Sequence, residues 1–282
     1  MAKELSVESQ LISSLQVDRF PAKSKEERYE KCLEKLTEKG WKDSNLLYSD
    51  VLDMTEGRHK DKTQTNKLLL WPKGRVPTLI DTAVFDKEEK LHLLCAVLYF
   101  QSHTCLDFVA KKDSDKDYLA IKKQGSSCSS DTVGKSSKGG EQSVYLPDGC
   151  YKHGTVVHEL MHAIGFFHEH QRLDRETHIT IHQNHIPSNL QFQFQSVTQL
   201  GYKDYTDVGE YDFSSIMHYP DKVDGQRVMR ANVDTYSEKI IEHTEVMGNR
   251  KKPTAMDTVK VNLRYGCSSA ISGTADGKTK LL

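Results

Sequence analysis

Tyr29, Cys32, Leu33 and Leu36 fall at i, i+3, i+4 and i+7, the stripe that one face of an α-helix presents, and Gly40 ends it. A second stripe, Leu91, Leu94, Cys95 and Leu98, lies inside a helix predicted over residues 87–103. Residues 75–84 read as a strand opened by Pro77, and shorter β-like stretches follow at 105–111, 118–122 and 143–146. The pattern predicts two further helices, over residues 151–164 and 254–265. Residues 125–141, rich in Ser and Gly, form a loop. The alternation of Ile179 and Ile181 with polar neighbours is that of a strand, so His178 and His182 are expected too far apart for one metal.

Two regions break this pattern. Residues 56–66 are dense in charge and poor in apolar side chains, with Arg58, Lys60 and Lys62 close together, so they read as an exposed linker open to a trypsin-like protease. Residues 268–282 have the composition of a frayed end. Three units are therefore expected: an arm over 1–62, a main domain over 63–267 and a flexible tail over 268–282.

Composition excludes some classes of partner. The chain has 282 residues with 39 Lys+Arg against 40 Asp+Glu, so net charge gives no reason to expect a nucleic acid or an anionic membrane surface. The longest apolar run, residues 93–100, is too short to span a bilayer, and the mean hydropathy is -0.62. Residues 1–20 mix charges with short apolar pairs and carry no signal-peptide pattern, so a leader is expected to have been removed or never present.

The chemistry is concentrated in the segment from Thr155 to His170, which reads TVVHELMHAIGFFHEH. His158 and His162 are one helical turn apart, so their imidazoles leave the same face about 6 Å apart along the axis, a spacing that suits two ligands of one zinc ion. Glu159 lies about 100° round the helix from His158, within reach of a water on that metal without ligating it. Gly165 has no Cβ and so can take the left-handed conformation that ends the helix, which lets His168 return as a third ligand. Three neutral imidazoles leave the ion its full charge and an open position. Downstream, Ser215-Ile-Met-His-Tyr219 places the unbranched Met217 where a turn could pack beneath the histidines. His170, His185 and His218 are expected at the surface or behind the ligands rather than on the metal.

The pattern HExxHxxGxxHE followed by SxMHY resembles the astacin family of zinc endopeptidases, within the metzincins, over roughly residues 71–267. Trp71 to Pro77 is similar to the family's opening strand, and Asn262 to Cys267 to its closing helix. The resemblance implies an α+β, two-lobed metzincin fold. A twisted mixed sheet and two long helices would form the N-terminal lobe, and an irregular C-terminal lobe would end in a closing helix. It also implies one Zn2+ per chain, with Tyr219 as a further ligand that swings away to stabilise the oxyanion. Arg250, in Met247-Gly-Asn-Arg250, is similar to a family arginine that favours acidic residues after the scissile bond. Leu47-Tyr-Ser-Asp50 resembles a propeptide segment whose aspartate, here Asp50, ligates the metal in the latent form, although Leu47 and Ser49 depart from the family's Phe and Gly. Glu169 would receive the amino terminus created by activation.

For the cysteines the resemblance implies the pairs Cys105 with Cys267 and Cys128 with Cys150, and hence an oxidising compartment. Cys32 and Cys95 are expected as two buried thiols on separate helices, since a bond between them would tether the arm permanently. The implied function is that of a secreted, monomeric endopeptidase acting on protein or peptide substrates, made latent and activated by a trypsin-like cut. A catalytically silent adhesion protein on the same fold is the rival class, and intact Glu159 with all three histidines argues against it. Within the metzincins, a matrix metalloprotease would carry a propeptide cysteine motif that this chain lacks.

Overall fold

The computed structural model describes residues 6–15, 24–38, 67–232, 244 and 246–267. Asp50, the charged linker and the tail over 268–282 lie outside the described residues.

The arm contributes two helices, α1 (Val7–Leu15) and α2 (Lys25–Glu38). Val7, Leu11, Ile12 and Leu15 of α1 and Tyr29, Cys32 and Leu36 of α2 are buried in the same apolar cluster as the main domain. That burial is the driving force for docking, since each large apolar side chain removed from water contributes about 1.5–3 kcal/mol.

The main domain opens with β1 (Arg75–Ile80), followed by α3 (Lys87–His103), which matches the predicted span. Asp86 and Glu89 close a capping box at its start, and its apolar residues are buried over nearly three turns. Next come β2 (Asp107–Ala110), β3 (Tyr118–Lys122), β4 (Ser129–Ser130) and β5 (Glu141–Tyr145), which join β1 in one sheet of order β2-β1-β3-β5-β4. β1 pairs in parallel with β2 and β3, and β3 with β5, while β4 runs antiparallel to β5. This is the expected mixed sheet. The parallel strands are buried along most of their length, the usual condition for parallel pairing.

The sheet is followed by α4 (His153–Ala163), every residue of which is buried. Beyond it the chain becomes irregular: α5 (Arg175–His178), then the short strands β6 (Ile179–Ile181), β7 (Lys222–Val223), β8 (Gln226–Arg227) and β9 (Met229–Ala231). The expected strand around residue 179 is thus β6, and His178 closes a helical turn instead of extending it. These pieces surround a second apolar cluster that includes Ile179, Phe194, Tyr219 and Met229. The lobe closes with α6 (Ala255–Tyr265), capped by Thr254 at its start and by left-handed Gly266 at its end. Cys105–Cys267 ties the end of α6 to the segment after α3, and Cys128–Cys150 joins the loop at β4 to the entry of α4.

The expectation of two free thiols at Cys32 and Cys95 is wrong. The two are bonded, with Cα atoms 5.6 Å apart. The two helical stripes read separately from the sequence face each other, because α2 packs directly against α3. Tyr29 rests between the rings of Tyr99, His103 and His153, and its hydroxyl meets His153 Nε2 at 2.8 Å. Burial pushes the pKa of His153 from its usual 6.5 down to about 3, so this contact is made by a neutral ring. On the outer edge of the sheet, Ser6 forms an antiparallel bridge with Val109 of β2.

The arm is therefore part of the folded core and covalently attached to it. A chain cut once between Glu38 and Trp71 is expected to keep its full mass on electrophoresis without reductant and to separate into two pieces with it. Loss of the arm without reductant would contradict the Cys32–Cys95 bond.

Candidate active site

α4 carries His158 and His162 on one face, as the four-residue spacing requires. The helix stops one turn later at Gly165, which has φ 110°, and a Cβ there would lie 2.9 Å from Leu70 Cδ2. The left-handed backbone conformation is what demands glycine, and a Cβ would in addition make the end of the Leu70 side chain shift. The orphan carbonyls at this helix end are satisfied from three directions. Trp71 Nε1 donates to Ala163 O at 3.0 Å, Tyr265 Oη to Ile164 O at 2.8 Å and the Gly134 amide to His162 O at 2.8 Å. The opening and closing segments of the domain thus fix the bend that returns His168.

The three imidazoles converge. His162 Nε2 lies 3.1 Å from His158 Nε2 and 3.2 Å from His168 Nε2, and the three residues form the group able to hold a metal among the described residues. Each ring is held from behind through Nδ1: His158 by Ile216 O at 2.8 Å, His162 by Phe166 O at 2.7 Å and His168 by Gln171 Oε1 at 3.1 Å. All three acceptors are oxygens, which places the proton on Nδ1 and turns the lone pair of each Nε2 inward. Burial drives the pKa of His158 and His168 well below 6.5, so these rings are neutral. Three inward lone pairs in a dry site fit a single divalent ion such as zinc. Glu159, next to the first ligand, is fully buried as well.

The turn predicted around Met217 lies directly beneath. Asp257, at the third position of α6, accepts from Ser215 Oγ at 2.5 Å and from the Ile216 amide at 2.9 Å, while closing the capping box with Thr254. The carbonyl of Ile216 is the one that holds His158, so a carboxylate on α6 positions a histidine of the cluster on α4 through the turn. Arg250 Nη1 donates to Ile216 O at 2.8 Å and to His218 O at 3.0 Å, tightening the same turn. Met217 O accepts from the Glu169 amide at 2.9 Å.

Tyr219 stands beside the third ligand. Its ring centroid is 4.3 Å from that of His168 and 4.5 Å from that of His170. Its hydroxyl donates to Gln193 Oε1 at 3.1 Å. His170 and His218 are buried, His170 on Gln193 O and His218 on Tyr219 O, whereas His185 is exposed.

Glu169 is already paired within the chain. Its Oε1 meets Lys260 Nζ at 2.5 Å and accepts from the Asp212 amide at 2.9 Å, with Arg172 at 3.7 Å. Both partners are deeply buried, Glu169 at 4% and Lys260 at 3% exposure. Burial pushes the Glu169 pKa up to about 7, while Lys260 and Arg172 act in the opposite direction. Sequence reasoning missed Lys260, Asp257, Gln171 and Gln193. The Thr254-x-x-Asp257 capping pattern was the one available signal among them, and it marks a helix start without revealing what else the carboxylate holds.

A sequence model of the Astacin peptidase family matches residues 63–266. The chain belongs to the astacin family. Among similar proteins, the zinc metalloproteinase nas-8 of Steinernema carpocapsae is 36% identical over 203 residues, covering 72% of this chain and 46% of that protein. Zinc metalloproteinase nas-6 of Caenorhabditis elegans is 35% identical over 243 residues, covering 83% and 67% respectively. This astacin chain spans about half the length of several curated relatives, for example 50% of nas-8 of Caenorhabditis elegans. Among solved structures, high choriolytic enzyme 1, a hatching enzyme zinc-protease of Oryzias latipes, aligns with a TM-score of 0.56 at 25% identity, over 71% of this chain and 94% of that one.

Removing one member of the buried ion pair leaves the other charged and without its partner, which costs about 3–5 kcal/mol. Lys260→Met is expected to lower the free energy of unfolding in urea by that amount, and Glu169→Gln combined with Lys260→Met to recover much of it. Additive losses in the double variant would show that the two side chains do not act as a pair.

Proposed function

We propose that this astacin chain is a secreted zinc endopeptidase that hydrolyses peptide bonds of protein substrates and is made in a latent form. The observation that carries this reading is the convergence of three Nε2 atoms, from His158, His162 and His168, with the Glu159 carboxylate adjacent in sequence on the same helix. His158, His162 and His168 would hold one zinc per chain. When bound, the metal supplies a Lewis acid that lowers the pKa of a water to roughly 7.

The remaining steps belong to side chains. Glu159 takes a proton from the attacking water as its oxygen bonds to the carbonyl carbon. The same carboxyl returns that proton to the amide nitrogen as the C–N bond breaks, giving a carboxylic acid and an amine, and the proton passing from the acid to the amine leaves the products as carboxylate and ammonium. The Tyr219 phenol donates a hydrogen bond to the carbonyl oxygen as charge builds there. An extended substrate would pair with β4, which closes the sheet on the side of α4, while Ser6 occupies the opposite edge at β2. The three disulfides support an oxidising, extracellular setting. Among the described residues no helix is long and apolar enough to cross a membrane.

For latency, Asp50 is the candidate ligand and residues 58–62 the candidate site for a trypsin-like cut. The Cys32–Cys95 bond changes what such a cut does: it frees the segment carrying Asp50 at one end, while α1 and α2 stay in place. The enzyme acts as a monomer in this reading.

Glu159→Gln is expected to lower kcat/KM on a peptide substrate by roughly 10²–10⁴ with the zinc content unchanged, and a chelator to abolish wild-type hydrolysis. Hydrolysis indifferent to both would overturn the assignment. Arg250 is the candidate for an acidic preference at P1′, its Nη1 gripping the turn at Ile216 and His218. Arg250→Ala is then expected to bring the rates on acidic and neutral P1′ peptides together, and an unchanged ratio would remove that role.

A further inference from the structure

Gln193 lies within a 3-10 segment, Ser188–Phe194, and is 1% exposed. Its backbone carbonyl accepts from Gln171 Nε2 at 3.0 Å and from His170 Nε2 at 3.0 Å. Gln171 in turn holds Nδ1 of the third histidine at 3.1 Å. The side chain reaches the other way: Oε1 accepts the Tyr219 hydroxyl at 3.1 Å, and Nε2 is buried with no partner among the described residues. One residue therefore touches the phenol with its side chain and the support of His168 with its backbone. A buried amide N–H without a partner costs about 1–3 kcal/mol, so a site that retains one has a use for it in another state.

We propose that Gln193 is the positioning residue for the Tyr219 phenol. In the state described, its side-chain oxygen accepts the hydrogen bond of the phenol O–H and holds the ring beside His168. Rotation of the amide by about 180° turns Nε2 to the phenol oxygen, so that Gln193 donates and the phenol proton is released toward the substrate carbonyl. The rotation moves no backbone atom, and the Gln193 carbonyl keeps Gln171 and His168 in register throughout. The proposal rests on the reading of the three histidines as zinc ligands with Tyr219 facing the metal.

The test uses the full chain loaded with Cu2+ in place of zinc, in which a phenolate on the metal gives a charge-transfer absorption. It is paired with kinetics of the zinc form, in wild type, Gln193→Leu, Gln193→Glu and each combined with Tyr219→Phe. Gln193→Leu removes the acceptor and is expected to strengthen the copper band, as the phenol turns to the metal. It should also lower kcat by roughly threefold to tenfold, the value of one hydrogen bond, with KM changed much less. Gln193→Glu keeps an acceptor but loses the donor, so it should retain a band like wild type while losing kcat. Neither change should lower kcat further once Tyr219 is Phe. An unaltered band in Gln193→Leu, or equal losses with and without the phenol, would overturn the proposal. Full activity of Gln193→Glu would overturn the amide rotation. Because the copper band is read without peptide hydrolysis, a wild type lacking chelator-sensitive activity would sink the peptidase reading separately.

Discussion

Three imidazole nitrogens facing one another at 3.1 and 3.2 Å in a dry interior repel unless a positive charge lies between them. Everything that surrounds them works against that repulsion. Each ring is fixed from behind by an oxygen acceptor, and two of those three acceptors are backbone carbonyls whose positions depend on distant parts of the chain. The Phe166 carbonyl is placed by the bend at Gly165, which exists because Trp71 and Tyr265 satisfy the end of α4. The Ile216 carbonyl is placed by a turn tied to Asp257 on α6. The geometry of the histidine cluster is thus a property of the whole domain, although its three residues span eleven residues of sequence.

Buried charge links the two lobes at the same place. Asp257 ties α6 to the turn at Ser215 and Ile216, and the Glu169–Lys260 pair ties it to the segment carrying His168, in surroundings where each charge would be costly alone. The amino terminus expected to meet Glu169 after activation has a counterpart already present in the Lys260 ammonium. In the structure described, the Lys260 ammonium already meets the Glu169 carboxylate.

The arm departs from expectation through the Cys32–Cys95 bond. A propeptide that is to be discarded would be held by contacts that a cut can undo. Here α1 and α2 contribute to the main apolar cluster and are bonded through Cys32 to α3. Docking on α3 gives the arm a structural part that is separate from any role of Asp50.

The helix with His158 and His162, the glycine bend, the third histidine and the Met217 turn were all legible in the sequence. So were the span of α3, the places of the main strands and the family itself. These features follow from spacing along one helix or one turn, where covalent geometry alone fixes which side chains share a face. The bond between Cys32 and Cys95 was not legible, because the two stripes identify buried faces without saying which face meets which. Nor were Asp257, Lys260, Gln171 and Gln193, polar residues whose importance comes from partners up to 91 positions away. Sequence periodicity records how a residue sits on its own element; the pairing of buried polar groups is decided when elements pack, since only then do the desolvation cost of each group and its compensating partner exist.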